Sequence, residues 1–335
     1  MASRPALEVE NARRTLTDLF RPIRCELAEA ERIFRHELRS QFPFVQQLVD
    51  HCGDYQGKRL RPALLLLAAR ACGSVTSAHP VLAAVVEMIH TATLVHDDIL
   101  DESMVRRHAA TVNAEWGNET AVLLGDYLFT HAFHLAASLD STLACRWIGR
   151  ATNRVCEGEM HQVHQRGNLD LDESSYFSII EGKTAELTAV SCRLGAHYAG
   201  ADEATTEALD RYGRNLGIAF QIADDVLDIW GEERLTGKSL GTDLEKQKLT
   251  LPVIRLLETA DPATAANARR MLGEAKAECR KQLIPLLEQS GALGYSWQRA
   301  RWHVKEAIDS LECLRESDSK VVLHVLADYT VQRAS

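Results

Sequence analysis

Proline and glycine are scarce in this 335-residue chain, at 8 and 19 residues, and alternating β-branched runs are nearly absent. That combination excludes a sandwich or barrel of short strands and leaves long helical segments. The eight cysteines form no CxxC pair and show no zinc-ligand spacing, so they read as free thiols in a reducing compartment. Positive charge is not in excess. A net charge of −9 argues against nucleic acid or an anionic membrane as partner, so any anionic substrate must be held by a local cluster of cations or by metal. The N-terminus, MASRPALEVENARR, lacks the apolar core of a secretory signal. No uninterrupted apolar run reaches eighteen residues: the best stretch, from Val81, is broken by Glu87 and His90. No stable membrane insertion is expected, and the expected location is the cytoplasm.

What is present reads as one all-α domain over 1–335, a single large helical bundle. Pro62 opens PALLLLAARACG, which closes on Gly73 as a C-cap. Pro80 opens VLAAVVEMIHTATLVHDDIL, apolar on most of its circumference and therefore a central, buried helix. Further helical stretches cover 118–139, 141–165, 173–199, 203–229 and 252–260, and WGEERLTGKSLGTDLEKQK reads as a charged loop on one face.

The chemistry lies in charge placed at the ends of apolar helices. In LVHDDILDESMVRR, Asp97, Asp98 and Asp101 stand at i, i+1 and i+4, within one arc of about 100°. FQIADDVLDIW repeats that spacing with Asp224, Asp225 and Asp228. A solvated helix end is the bland explanation for one such triad. Two triads facing each other across a bundle would supply hard oxygen ligands for Mg²⁺, which keeps waters and bridges substrate phosphates. Cations match them: Lys58 and Arg61 in GKRLRP, read as one helical face at i, i+3; Arg106 and Arg107; Lys183 beside Thr184; and Lys238 and Lys248. Together they read as two anionic pockets.

The set GKRLRP, LVHDDILDESMVRR, GKT, FQIADDVLD and GKSLGTDLEKQKLTLP, in this order, resembles the trans-polyprenyl diphosphate synthases over about 57–252. The segment EMIHTATLVHDDILDES with ATVNAEWGN is most similar to the long-chain, octaprenyl-type branch. The resemblance implies the isoprenoid-synthase bundle with a central apolar cavity, and a homodimer. It implies a prenyltransferase that condenses isopentenyl diphosphate with an allylic diphosphate, with more than one Mg²⁺. It assigns Lys58, Arg61, His90 and Arg107 to isopentenyl diphosphate, and Arg106, Lys183, Lys238 and Lys248 to the allylic diphosphate. Asp97, Asp101 and Asp224 match direct metal ligands, with Asp98, Asp225 and Asp228 supporting. Thr184 and Gln221 match positions lining the reacting centre. The chain departs from the family at Gln56, His108 and Gln247, each where a glycine is usual.

Product length follows from the helix that starts at Pro80. Small Ala92 and Thr93 lie four to five residues before Asp97, where short-chain relatives carry an aromatic stopper, and flexible Met88 lies one turn deeper. From Asp97 to Pro80 there is room for only about five extended isoprene units, ~25 Å. A longer product must bend or pass between helices, with Phe129 or Phe133 as its floor. A long-chain synthase is expected. A short-chain farnesyl or geranylgeranyl synthase is the first alternative, then a non-catalytic subunit of a heteromeric synthase. A terpene cyclase would not use the GKRLRP pocket or the second triad, and a plain structural bundle leaves the paired motifs unexplained.

Overall fold

The structure, a computed structural model, describes residues 18–53, 59–107, 109–231, 240–273 and 279–332. Lys58, Lys238, Gln56 and His108 lie outside the described residues. The helices are α1 Arg24–Glu37, α2 Pro43–Gly53, α3 Leu60–Cys72, α4 Ala78–Leu100, α5 Val112–Ala137, α6 Leu143–His164, α7 Glu173–Ile180, α8 Glu186–Tyr198 and α9 Glu203–Trp230. They continue as α10 Thr242–Glu245, α11 Leu251–Thr259, α12 Pro262–Gly273, α13 Cys279–Gln289, α14 Ala292–Asp309 and α15 Asp318–Gln332. Among the described residues the only strands are the two-residue pair β1 Val105–Arg106 and β2 Ala109–Ala110, antiparallel with Arg106 opposite Ala109.

Local chemistry explains the boundaries. Asp172 and Asp202 cap α7 and α9 by accepting the Ser175 and Thr205 N–H groups at 2.7 and 2.8 Å, which satisfies donors the helix cannot pair internally. The expected α3 and α4 begin two residues earlier than Pro62 and Pro80, since proline is tolerated anywhere in the first turn. Between α7 and α8 the chain does not run as one regular helix: Glu181–Ala185 forms a wide π turn.

Two buried apolar clusters organise the packing. The first gathers α3, α4, α5 and the first half of α9 through residues such as Leu66, Val85, Leu128 and Tyr212; the second gathers α7, α11, α13, α14 and the far half of α9 through Ile222, Val226, Leu256 and Leu283. α9 thus runs from one core into the other, and its acidic end emerges at the second. α4 has the length and mean hydropathy of a membrane span, yet 67% of its most apolar window is buried inside the protein. It packs on α1, α3, α5 and α8.

α3 and α8 touch at backbone distance. A Cβ on Gly195 would lie 2.1 Å from the Leu65 carbonyl oxygen, and main chain cannot retreat as a flexible side chain can. Gly195→Ala is expected to lower stability by about 1–3 kcal/mol, the usual cost of overpacking. Denaturant unfolding checks this, and an unchanged midpoint would contradict it.

Candidate active site

The first acid triad sits where α4 ends. Asp98 is 1% exposed, and Arg106, presented by β1, grips it: Nε donates to both carboxylate oxygens at 2.9 Å and Nη2 donates to Oδ1 at 2.7 Å. A nearly closed carboxylate needs such a charge-assisted partner. Asp101 terminates the helix, its N–H donating to the Asp97 carbonyl at 2.8 Å. Its carboxylate meets Lys248 at 2.9 Å, Arg166 at 3.3 Å and Lys246 at 3.5 Å. Burial alone would raise the Asp101 pKa; the lysines outweigh it and hold it below the ordinary value. Asp97 is different. Burial pushes it up to about 6, with Glu159 and Asp101 adding repulsion and Lys183 pulling the other way.

The second triad ends α9. Asp225 is buried and accepts hydrogen bonds from Tyr176 Oη at 2.6 Å and Gln221 Nε2 at 2.7 Å. Burial, then the neighbouring Asp243 and Asp224, drive its pKa well above the usual carboxylate range. Thr184 Oγ1 donates to Gln221 Oε1 at 2.8 Å, so the Gln221 amide is fixed between the π turn and the aspartate. Asp228 caps α10, accepting from Thr242 Oγ1 at 3.1 Å and the Asp243 N–H at 3.2 Å. That cap brings in a carboxylate absent from the expected site. Asp243 is pushed up to about 6 by burial and by Asp228 and Asp224, against Lys248 and Lys183.

Two lysines join the halves. Lys183 Nζ pairs with Glu159 at 2.6 Å and donates to Gln162 at 2.9 Å. Its charge reaches Asp97 and Asp101 on one side and Asp243 on the other. Lys248 pairs with Asp101 while its N–H donates to the Asp243 carbonyl at 2.8 Å. Lys183 and Lys248 therefore interact with carboxylates of both acid clusters. Among the described residues no three His, Cys, Asp or Glu side chains close into a ready cation cage. The donor set nonetheless fits a hard divalent ion. Asp97, Asp224, Asp225 and Asp243 are all oxygen donors, and three of them carry pKa values raised by burial and like charge, which a cation would relieve.

A second basic pocket lies against α4. His90 has its pKa driven well below the ordinary value by burial and then by Arg61, Arg107 and Arg106, so at neutral pH it is an uncharged imidazole. Arg61 Nε and Glu87 Oε2 are buried without hydrogen-bond partners. Arg59, Arg61 and Arg107 all act on the Glu87 charge. α3 starts at Leu60, and Arg59 before it is left-handed at φ +46°; the helical face expected of Lys58 and Arg61 involves a residue outside the described ones. Arg107 and Gln247 are also left-handed, at φ +51° and +54°. At Gln247 this accounts for the family's usual glycine.

Met88 and Ala92 are fully buried on α4, and Thr93 donates its hydroxyl to the His90 carbonyl at 2.8 Å. Phe129 is half-buried on α5, its ring 5.9 Å from that of His96. Phe133 is one turn further along α5 and half-buried. Residues not foreseen are Glu159, Gln162, Arg166, Tyr176, Asp243, Lys246 and Glu87. Glu159 and Gln162 stand at i and i+3 on α6 and Arg166 follows just past its end, a polar stripe visible in EGEMHQVHQR but indistinct in so polar a segment.

The profile of the family described as Polyprenyl synthetase matches residues 42–289. The chain is 39% identical over 298 residues, 89% of its length and 91% of the relative's, to the octaprenyl diphosphate synthase of Haemophilus influenzae. A decaprenyl diphosphate synthase from Rhodobacter capsulatus superposes with a TM-score of 0.91 at 36% identity, covering 96% of this chain and 99% of that one. A polyprenyl synthase from Caulobacter crescentus, complexed with calcium and isoprenyl diphosphate, gives 0.90 at 36% identity over 96% and 98%.

The two adjacent aspartates should respond oppositely to neutralisation. Asp98→Asn breaks a buried charge-assisted pair and is expected to cost about 1.5–3 kcal/mol. Asp97→Asn removes a charge that burial already disfavours, and stability should hold or rise. Urea unfolding in the presence of a chelator measures both; equal losses would contradict the assignment.

Proposed function

We propose that this chain, which belongs to the polyprenyl synthetase family and is a prenyltransferase, builds long all-trans polyprenyl diphosphates by adding isopentenyl diphosphate to an allylic diphosphate. The observation that carries the reading is the coupling of two acid clusters through Lys183 and Lys248 beside a separate pocket of Arg61, His90 and Arg107. One half suits a departing diphosphate and the other an intact one.

In this reading Asp97, Asp101 and Asp224, with Asp225 and Asp243 behind them, hold Mg²⁺. Bound there, the ion would neutralise charge on the leaving diphosphate. Lys183 and Lys248, with Arg106 and Lys238, bind the allylic diphosphate and stabilise the charge that grows as its C–O bond breaks. Arg61 and Arg107, with Lys58, hold isopentenyl diphosphate by charge, and neutral His90 contributes a hydrogen bond. Thr184 and Gln221 turn fixed dipoles toward the reacting centre, where an allylic carbocation forms. The isopentenyl double bond attacks that carbon, making the new C–C bond, and a proton leaves to the released diphosphate. Apolar walls exclude water, which would otherwise capture the cation. On the same footing we place the protein in the cytoplasm as a homodimer, with Val122 and Leu123 of α5, 43% and 68% exposed, at the interface.

Incubation with isopentenyl diphosphate, farnesyl diphosphate and Mg²⁺, followed by sizing of the products, tests the proposal. A linear chain of more than five units is expected. A cyclic hydrocarbon, a short chain or no product would refute it. The pocket division predicts that Lys183→Ala raises KM for the allylic substrate and Arg107→Ala raises it for isopentenyl diphosphate. Each loses a charge-assisted contact of about 1.5–3 kcal/mol, roughly ten- to a hundredfold; parallel effects on both substrates would contradict the division. Ala92 is fully buried on α4, about one turn below Asp97. Ala92→Phe is expected to shorten the product to about three or four units, one turn of helix matching one isoprene unit. An active Ala92→Phe enzyme with unchanged product would place the growing chain along another helix.

A further inference from the structure

Lys183 and Thr184 stand on the π turn Glu181–Ala185, in which the Glu186 N–H donates to the Glu181 carbonyl. Such turns are single insertions into α-helices and cost backbone geometry, so something must hold them. In a regular α-helix, residues five apart point about 140° away from each other. Here Glu181 and Glu186 converge on one guanidinium: Arg214 Nη1 donates to Glu181 Oε1 at 2.9 Å and to Glu186 Oε1 at 2.8 Å, and Nη2 donates to Glu186 Oε2 at 3.4 Å and to Asp210 at 3.2 Å. The wide register turns less per residue, which brings the two positions closer to one face.

We propose that Arg214 is a positioning residue for the allylic diphosphate pocket: by bridging Glu181 and Glu186 it locks the π turn in the register that presents Lys183 and Thr184. The inference rests on the allylic reading of Lys183 given above. Arg214 lies on α9, two turns before Gln221, so the helix that carries the second acid triad also sets the turn opposite it. Packing adds to the lock. A Cβ on Gly158 of α6 would meet the Lys183 backbone nitrogen at 2.6 Å, and one on Gly217 of α9 would meet the Ala185 Cα at 2.6 Å. The turn is clasped between two helices at backbone distance, and its outer side is held by Arg214. Without the guanidinium, three carboxylates would face one another, and repulsion would favour splaying the turn toward α register. That change would carry Lys183 away from Glu159 and Gln162 and Thr184 away from Gln221. Arg214 bonds to Glu181, Glu186 and Asp210 and to none of those five residues, so its effect would pass through the backbone.

The test is binding of two diphosphates to the full chain by calorimetry: the unreactive thiolodiphosphate analogue of the allylic substrate, and isopentenyl diphosphate. R214Q is expected to weaken the analogue about tenfold, the loss of one charge-assisted contact at Lys183, while the Kd for isopentenyl diphosphate stays within twofold. R214K should recover part of the loss, since it restores charge without the two-armed geometry. Unchanged analogue binding in R214Q, or equal weakening of both diphosphates, would overturn the proposal. If R214Q does not fold, E181Q and E186Q each remove one arm, and the same selective loss is expected of them; no loss in either would overturn it. Wild-type protein that fails to bind the analogue, or K183A that binds it normally, would instead overturn the allylic reading and this inference with it.

Discussion

The cost of burying carboxylates governs this structure. Four aspartates, Asp97, Asp98, Asp225 and Asp243, stand at or near helix ends beside the apolar cores, where burial opposes a charge left without a partner. Each is answered differently. Asp98 is closed by the Arg106 fork, and Asp225 is held by the hydroxyl and amide of Tyr176 and Gln221. Asp97 and Asp243 keep raised pKa values, each near 6. On the proposed reading, a bound cation would relieve the charge that burial disfavours at Asp97 and Asp243.

That division explains why charge and hydrophobic packing adjoin so closely. α4 delivers Asp97 from the first apolar cluster, and α9 reaches through both clusters before delivering Asp224, Asp225 and Asp228. The rigid parts of the bundle therefore fix the distance between the acid faces, while shorter pieces bring in the cations: the β1–β2 turn for Arg106, the π turn for Lys183 and the segment after α10 for Lys248. Sites built on helices hold geometry better than sites built on loops. On the proposed reading the metal side rests on long helices and the anion side on turns, with Arg59, Arg107 and Gln247 left-handed.

The acid triads, the central helix and the all-helical fold were legible because they are local: helical spacing puts Asp97 and Asp101 on one face whatever the partner. What could not be read was tertiary. Nothing in EGEMHQVHQR says that Glu159 meets Lys183, and Tyr176 reads as a core aromatic until its hydroxyl is found on Asp225. Asp243 lay inside a recognised motif, yet its role depends on Asp228 acting as a cap from another helix. The left-handed backbone at Arg59 was not legible either, since a non-glycine residue gives no local signal of a positive φ. The π turn had no signal either, since 173–199 carries helical periodicity throughout, and one inserted residue does not disturb the pattern.

The central claim is that the two acid clusters act as one unit around shared cations. Calorimetric titration of Mg²⁺ in the presence of inorganic diphosphate tests it most directly, using Asp97→Ala, Asp224→Ala and the double variant. If the clusters cooperate, each single change removes most of the diphosphate-dependent Mg²⁺ affinity and the double change adds little, as for groups that function together. Independent, additive losses, or normal Mg²⁺ binding in either single variant, would contradict the account.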